Sequence, residues 1–185
     1  MSTASDLRKA PGAGLPDSLA RRIRSAAVWP LVAFVAYIFL WYLQYKFTGD
    51  RGSVWLFTVL TDWLGVHGHE KFMRIAVGSM ELTAVILLLI RPAQIFGATL
   101  ALGIMTGAIF FHSVSPLGID PYGDGGVLFK QACATWLCAL AILVLRSDEI
   151  AMRLRRLEPH LPPMLRPAAG LARRGAMRID RAFPG

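Results

Sequence analysis

Hydrophobic residues fall into four long runs along the chain, separated by short polar stretches. Each run is close to the roughly 20 residues that a helix needs to cross about 30 Å of hydrocarbon. The runs lack the alternation of barrel strands, and backbone polar groups cannot stay unpaired in lipid, so the pattern predicts helices. The predicted spans cover residues 26–47, 72–90, 95–111 and 127–145. The predicted fold is therefore an all-α integral membrane four-helix bundle.

The connections between the runs are short and differ in character. Only the four residues Arg91–Gln94 separate the second span from the third, which predicts a tight antiparallel hairpin. Between the first two spans, residues 53–65 predict a short outer interfacial helix, with Ser53 as its N-cap and Gly65 as its stop. Residues 113–126 are rich in Pro and Gly and predict a loop.

The charge distribution indicates how the chain sits in a membrane. Of its 185 residues, 55% are hydrophobic and 17% are charged, against about 25% charged in a soluble domain, which argues against a soluble enzyme. Residues 1–25 carry a net charge of +3, residues 26–145 of zero and residues 146–185 of +5. Basic ends around a neutral apolar middle favour contact with anionic lipid over nucleic acid. With an even number of spans, both termini are predicted to face the cytoplasm.

Three segments follow from this pattern. Residues 1–25 are a basic cytoplasmic N-terminal segment, residues 26–147 the transmembrane domain and residues 148–185 a basic cytoplasmic tail. A helix beginning near Asp17 is predicted to feed the first span. In the tail, helices are predicted to about Leu157 and over residues 168–183. Whether the second of these lies on the inner leaflet or is a solvated, disordered tail stays open.

Polar side chains within the apolar runs are the candidate site. Glu81 lies near the bilayer centre, where a charge requires a partner, and Lys130 and Arg74 are the predicted partners. His112 ends the third span on the outer side, and Glu81, Lys130 and His112 are the candidate catalytic groups. A polar cavity open to the outer side is expected, with Glu81 at its floor. The candidate ligand-binding residues are Lys46, Gln44, Trp41, Arg74 and Gln131. Tyr37, Trp41 and Gln44 follow i, i+4, i+7 spacing and predict one polar face of the first span.

These residues also have a purely structural interpretation. Buried polar groups can do no more than fix helix register, and the spacing of Gly103 and Gly107 is typical of helix packing in membranes. His67, His69 and Glu70 lack a full ligand pattern, so no metal site is predicted.

Three short motifs connect the chain to a known family. Residues 44–49 (QYKFTG) end the first span, residues 78–82 (GSMEL) contain Glu81, and residues 123–126 (GDGG) enter the fourth span. With the hairpin and the short outer helix, these motifs resemble the DoxX-like superfamily of small four-span membrane proteins over residues 27–147. The related YkgB/RclC-like branch is an equal alternative.

The resemblance implies a function in membrane redox chemistry. It implies a subunit or accessory of quinone-linked redox or oxidative-stress metabolism, with quinone as the electron carrier and with Lys46 and Glu81 lining the site. Enzymatic activity does not carry over with it. Two other functions stay open: a small-molecule or proton-coupled transport component, and a non-catalytic structural partner of a membrane complex. A chain of this size is compatible with a homo-oligomer or with a complex that includes other membrane or redox subunits.

Overall fold

A computed structural model describes residues 16–149 of the chain, and this part contains helices but no strand. The elements are α1 (Asp17–Thr48), α2 (Arg51–Trp63), α3 (Glu70–Leu89), a 3₁₀ turn (Arg91–Ala93), α4 (Gln94–Val114) and α5 (Val127–Leu145). Four helices, α1, α3, α4 and α5, are long and apolar enough to cross a membrane. For residues 16–149, the prediction of an all-helical fold with four membrane-length helices is confirmed.

The ends of two helices refine the predicted elements. Because α1 begins at Asp17, the helix expected there and the first span are one continuous helix. The predicted N-cap of α2 was wrong: α2 begins at Arg51, and the side chain of Asp50 accepts a 3.0 Å hydrogen bond from the Gly52 amide. Gly65 ends this helix region with a positive φ of 73°. The predictions for residues 1–15 and 150–185, including the tail helices, lie outside the described residues.

The four long helices contact one another in a closed order, with α1 against α3, α3 against α4, α4 against α5, and α5 against α1. Small and β-branched side chains dominate their common core, which suits close approach of helices in lipid. The main members of this core are Val28, Val32, Val35, Phe39, Ala84, Val85, Leu88, Ala98, Ala101, Met105, Ala132, Ala139 and Ile142.

At the end that carries the turn between α3 and α4, which we call the hairpin end, the helices pack tightly. A Cβ placed on Gly97 of α4 would lie 2.7 Å from the Leu88 amide nitrogen and 2.9 Å from the Ala84 carbonyl oxygen. Gln94 is fully buried here and accepts a hydrogen bond from the guanidinium of Arg146. These contacts join α4 to its neighbours α3 and α5 and leave little free space.

At the opposite end, which we call the α2 end, α2 packs against α3 and more lightly against α1. Phe57 and Leu60 of α2 form a second apolar cluster with Leu117, and this cluster also includes Val77 of α3 and Phe111 of α4. Side chains of α2 therefore contact both α3 and α4 at this end. The space for the candidate site is found here.

Candidate functional site

An ion pair between α1 and α3 is the centre of the candidate site. Nζ of Lys46 lies 2.9 Å from Oε2 of Glu81. The side chain of Lys46 is 13% exposed and that of Glu81 is 5% exposed, so both charges are largely removed from solvent. Removing one partner of such a pair leaves an uncompensated buried charge, so each residue holds the other in place.

The partner of Glu81 differs from the prediction. The prediction that Glu81 pairs with Lys130, Arg74 or both is wrong, because Lys46 occupies that position. Lys130 is exposed near the start of α5. Arg74 is buried and pairs instead with Glu70, one turn earlier on its own helix, at 3.4 Å between Nη2 and Oε1.

Close approach of α1 to α3 explains why Lys46 reaches the carboxylate. The two helices meet at Gly78, where an added Cβ would lie 3.0 Å from the ring of Phe47 and 3.5 Å from Cβ of Lys46. A larger residue at this position would require the side chains of Phe47 and Leu43 to shift. Gly78 precedes Glu81 by three residues, which places both on one side of α3.

Arg74 serves the end of α1 and not the cavity. Its guanidinium donates a hydrogen bond to the carbonyl oxygen of Lys46, in the last turn of α1. Gly49 then ends the helix in the left-handed conformation, with φ of 73°. A cation at a helix C-terminus satisfies an otherwise unpaired carbonyl and complements the negative end of the helix dipole. Arg74 therefore caps the backbone at the end of α1 and does not contact the ammonium group of Lys46.

A cavity of about 660 Å³ lies beside the ion pair at the α2 end. Sites for small molecules commonly have volumes of about 300–1,000 Å³. All five helices contribute to its wall, which is mostly apolar. The predicted site residues on this wall are Trp41, Lys46, Glu81, His112 and Gln131. Gln44, Arg74 and Lys130 are not among the described residues that line it.

The face of α1 that borders the cavity is displaced from the predicted one. The expected polar face contained Tyr37, Trp41 and Gln44, but Tyr37 is 59% exposed. Gln44 is also exposed, and its amide donates a 3.1 Å hydrogen bond back to the carbonyl oxygen of Trp41. The residues that face inward are Phe39, Tyr42 and Lys46, and Trp41 lies at the margin of the cavity with 47% exposure.

Tyr42 is a cavity residue that the sequence analysis missed. Its hydroxyl donates a 2.5 Å hydrogen bond to Oε1 of Gln131, which links α1 to α5. Nζ of Lys46 lies 5.8 Å from the centre of the Tyr42 ring, within the range of a cation–π interaction. The ammonium group of Lys46 therefore faces both a carboxylate and an aromatic ring.

His112 occupies another part of the cavity wall, near the end of α4. Its side chain is buried, and Nδ1 lies 2.7 Å from the carbonyl oxygen of Gly118. A carbonyl oxygen only accepts, so Nδ1 carries the proton and Nε2 is the acceptor atom of the neutral ring. The ring of Phe129 meets the imidazole edge-to-face, with 5.9 Å between centres.

The mouth of the cavity is formed by polar groups at the α2 end. The hydroxyl of Tyr122 donates a 3.1 Å hydrogen bond to the carbonyl oxygen of Gly52. Burial raises the pKa of the Tyr122 phenol, and the nearby carboxylate of Asp50 raises it further, so this side chain stays a neutral donor. Asp50 and Asp124 also line the cavity here.

The polar residues outside the cavity form local contacts. Nδ1 of His67 lies 2.8 Å from a carboxylate oxygen of Asp62, with both side chains exposed. Cys133 and Cys138 are free thiols. Within residues 16–149, no three His, Cys, Asp or Glu side chains come together as a metal site would require.

Comparison of the chain with family models, with curated proteins and with solved structures finds no match. Its function is therefore inferred from the geometry of the cavity and from the sequence motifs.

Proposed function

We propose that this chain is a DoxX-like protein of the bacterial inner membrane that binds a quinone in the cavity. It serves as a subunit or accessory of quinone-linked redox or oxidative-stress metabolism. The observation that supports this best is the ion pair of Lys46 and Glu81 on the wall of a mostly apolar cavity. Both residues belong to the motifs that resemble the superfamily.

The orientation of the chain across the bilayer follows from its basic ends. The four long helices form a transmembrane bundle, with the hairpin end and both termini on the cytoplasmic side. The α2 end, with its cavity mouth, then lies on the outer side, and α2 lies at the outer interface. The basic ends of the chain support this orientation, because cytoplasmic flanks carry an excess of Lys and Arg.

The donor set on the wall fits a quinone headgroup. Such a headgroup is flat and apolar and carries two carbonyl oxygens, which take up electrons and protons when the quinone is reduced. Lys46 would donate a hydrogen bond to one oxygen, and the Glu81 carboxyl would hold the proton to be exchanged there. Nε2 of His112 would accept a hydrogen bond from a hydroxyl of the reduced form, because Nδ1 donates to the Gly118 carbonyl. Aromatic side chains of Phe39 and Phe111 supply apolar wall.

Packing at the hairpin end favours binding over transport. Ala84, Leu88, Ala98, Ala139 and Ile142 are all fully buried there. A path across the membrane would require these tightly packed helices to separate. The cavity lies at the α2 end, beyond this packed region, as expected for a binding site that opens on one side.

Trp41 provides a direct test because it lies on the cavity wall. The purified full-length protein in detergent is titrated with a short-tailed benzoquinone. The quinone should quench the part of the tryptophan fluorescence that comes from Trp41, and this quenching should be absent in Trp41→Phe. Trp29→Phe is the matched control, because Trp29 is a similarly exposed residue of α1 outside the cavity lining. Glu81→Gln should raise the quenching midpoint about tenfold, equivalent to about 1.4 kcal/mol of binding free energy. Equal quenching in wild type and Trp41→Phe, or an unchanged midpoint in Glu81→Gln, would contradict the proposal.

A further inference from the structure

Two glycines of α4 border the cavity without packing against another helix. Gly103 and Gly107 both line the cavity, and a Cβ built on either would meet no atom within 4 Å. Gly97, earlier on the same helix, lies directly against the backbone of α3. Glycine is unfavourable within a helix relative to alanine. Close packing explains the glycine at position 97. At positions 103 and 107, the missing side chain instead leaves free space in the cavity.

The neighbouring helix is exposed on the same side of the cavity. Met80 of α3 lines the cavity and is 43% exposed, and Gly103 is exposed as well. Met80 lies near the midpoint of α3 (Glu70–Leu89), and Gly103 near the midpoint of α4 (Gln94–Val114). When helices of this length span a bilayer, their midpoints lie in the hydrocarbon. An exposed part of the cavity wall at this depth borders lipid.

The charged and the exposed apolar parts of the cavity lining are made by different residues. The charged lining residues are Lys46, Glu81, Asp50 and Asp124, whereas Met80 and Gly103, which are exposed near the midpoints of α3 and α4, are apolar. A water-soluble ligand that enters through the mouth has no need of an apolar opening at mid-span. A molecule with a polar head and a long apolar tail fits both parts of the lining at once.

We infer that the cavity opens into the bilayer between α3 and α4, and that the apolar tail of a lipid-soluble ligand lies in this opening. The headgroup of that ligand is held at the ion pair of Lys46 and Glu81. This inference rests on the proposed function and narrows its ligand class to long-tailed molecules. Gly103 and Gly107 are then specificity-determining residues, because side chains at these positions would occupy the path of the tail.

Photolabelling of the reconstituted full chain tests the opening without any quinone. The probe is a phosphatidylcholine that carries a diazirine near the end of one acyl chain, and mass spectrometry locates the label. Phe39 and Met105 are the diagnostic residues, because both line the cavity and are only 1% and 6% exposed. We expect labelling of both residues in the wild type and its loss in Gly103→Phe.

Thr99→Phe is the matched control, because Thr99 is exposed on the same helix, outside the cavity lining, and bonds only back to the Ile95 carbonyl. This variant should keep wild-type labelling. Met80→Trp closes the opening from α3 and replaces Gly103→Phe if that variant does not fold. Absence of label from Phe39 and Met105 in the wild type, or label that persists in a folded closing variant, overturns the inference.

A second measurement separates this inference from the quinone proposal. For a benzoquinone with a long polyisoprenoid tail, Gly103→Phe should raise the midpoint concentration for quenching of Trp41 about tenfold. For the same headgroup with one isoprene unit, the midpoint should stay unchanged. Labelling of the cavity together with no quenching by either quinone would retain the opening and reject quinone as the ligand. Equal loss of quenching for both tails would contradict a role of Gly103 in placing the tail.

Discussion

The ammonium group of Lys46, in the last turn of α1, lies 2.9 Å from the carboxylate of Glu81, in the middle of α3. Both side chains are largely buried, so neither charge is satisfied without the other. The pair thereby joins two helices and places a cation and a carboxylate on one wall of the cavity. We expect its strength to affect the stability of the fold.

Energetic coupling of Lys46 and Glu81 follows from their burial. Each of Lys46→Met and Glu81→Leu leaves an uncompensated charge, and we expect each to lower the free energy of unfolding by about 3–5 kcal/mol. The double variant should lose much less than the sum, because no buried charge remains. Chemical unfolding in mixed micelles gives the free energy of unfolding of wild type, of each single variant and of the double variant. Strict additivity of the two single effects would show that the pair is not coupled.

Arg74 should affect stability without affecting ligand binding. Arg74→Gln removes the hydrogen bond to the last turn of α1 and the pairing with Glu70, and we expect it to lower the free energy of unfolding by about 1–3 kcal/mol. The quinone concentration that half-quenches Trp41 in the folded protein should stay close to the wild-type value. Loss of binding at unchanged stability would assign Arg74 to the site after all.

The glycines of α4 should respond differently to the same substitution. Gly97→Ala places a methyl group against the backbone of α3, and overpacking of this kind destabilises by about 1–3 kcal/mol. Gly103→Ala meets no atom within 4 Å, so it should be neutral or stabilising by up to about 1 kcal/mol through helix propensity. Thermal unfolding of both variants and wild type in one detergent compares the two changes in stability. Similar losses at the two positions would mean that Gly103 is packed.

The stability of the fold should depend on pH through Asp120, which lies in the loop between α4 and α5. Its carboxylate accepts backbone hydrogen bonds from Asp124 and Gly125, and backbone hydrogen bonding, above all at Gly126, holds its pKa below the ordinary value of 3.8. Because the folded-state pKa is the lower one, the ionised group stabilises the fold above about pH 3.8. This contribution is lost as the pH falls through the folded-state pKa.

Asp120→Asn should therefore lower the melting temperature at pH 7. The difference from wild type should shrink as the pH falls below 3.8. Asp62→Asn is a control at the same end of the molecule, because its exposed carboxylate pairs with a side chain and not with loop amides. The ionised carboxylate would be ruled out as the cause if the melting-temperature difference between wild type and Asp120→Asn stayed constant from pH 7 down to the lowest pH at which the protein is folded.

The four membrane-length helices could be predicted because lipid imposes a simple requirement on length and polarity. The hairpin between α3 and α4 could also be predicted, since the four residues Arg91–Gln94 leave room for nothing longer than a tight turn. The start of α2 was less predictable, because Asp50 and Ser53 are both acceptable N-caps and only the backbone geometry selects Asp50.

The inward face of α1 shows why the site was only partly predictable. Its inward positions repeat at alternating spacings of four and three residues: Val28, Val32, Val35, Phe39, Tyr42 and Lys46. The sequence contains this signal, but the face with Tyr37 and Trp41 has similar spacing. In a membrane helix the lipid-facing side is as apolar as the core side, so hydrophobicity cannot choose between them.

The partner of Glu81 could not be identified from α3 alone. Lys46, Arg74 and Lys130 all lie within apolar runs, near the ends of those runs that are expected on the outer side, and the choice depends on how closely two helices approach. Gly78 permits that approach, and its role appears only when Phe47 is seen against it. Spacing within one helix carries no information on this contact.

The central claim is that the buried pair of Lys46 and Glu81 forms the head of a quinone site, and ligand-dependent melting tests it most directly. Melting temperatures of wild type, Glu81→Gln and Arg74→Gln are measured in detergent with increasing concentrations of a benzoquinone. Ligand that binds only the folded state raises the melting temperature. We expect a concentration-dependent rise for wild type and Arg74→Gln, and a much smaller rise for Glu81→Gln. A rise of equal size in all three, or no rise in wild type at any concentration, would contradict it.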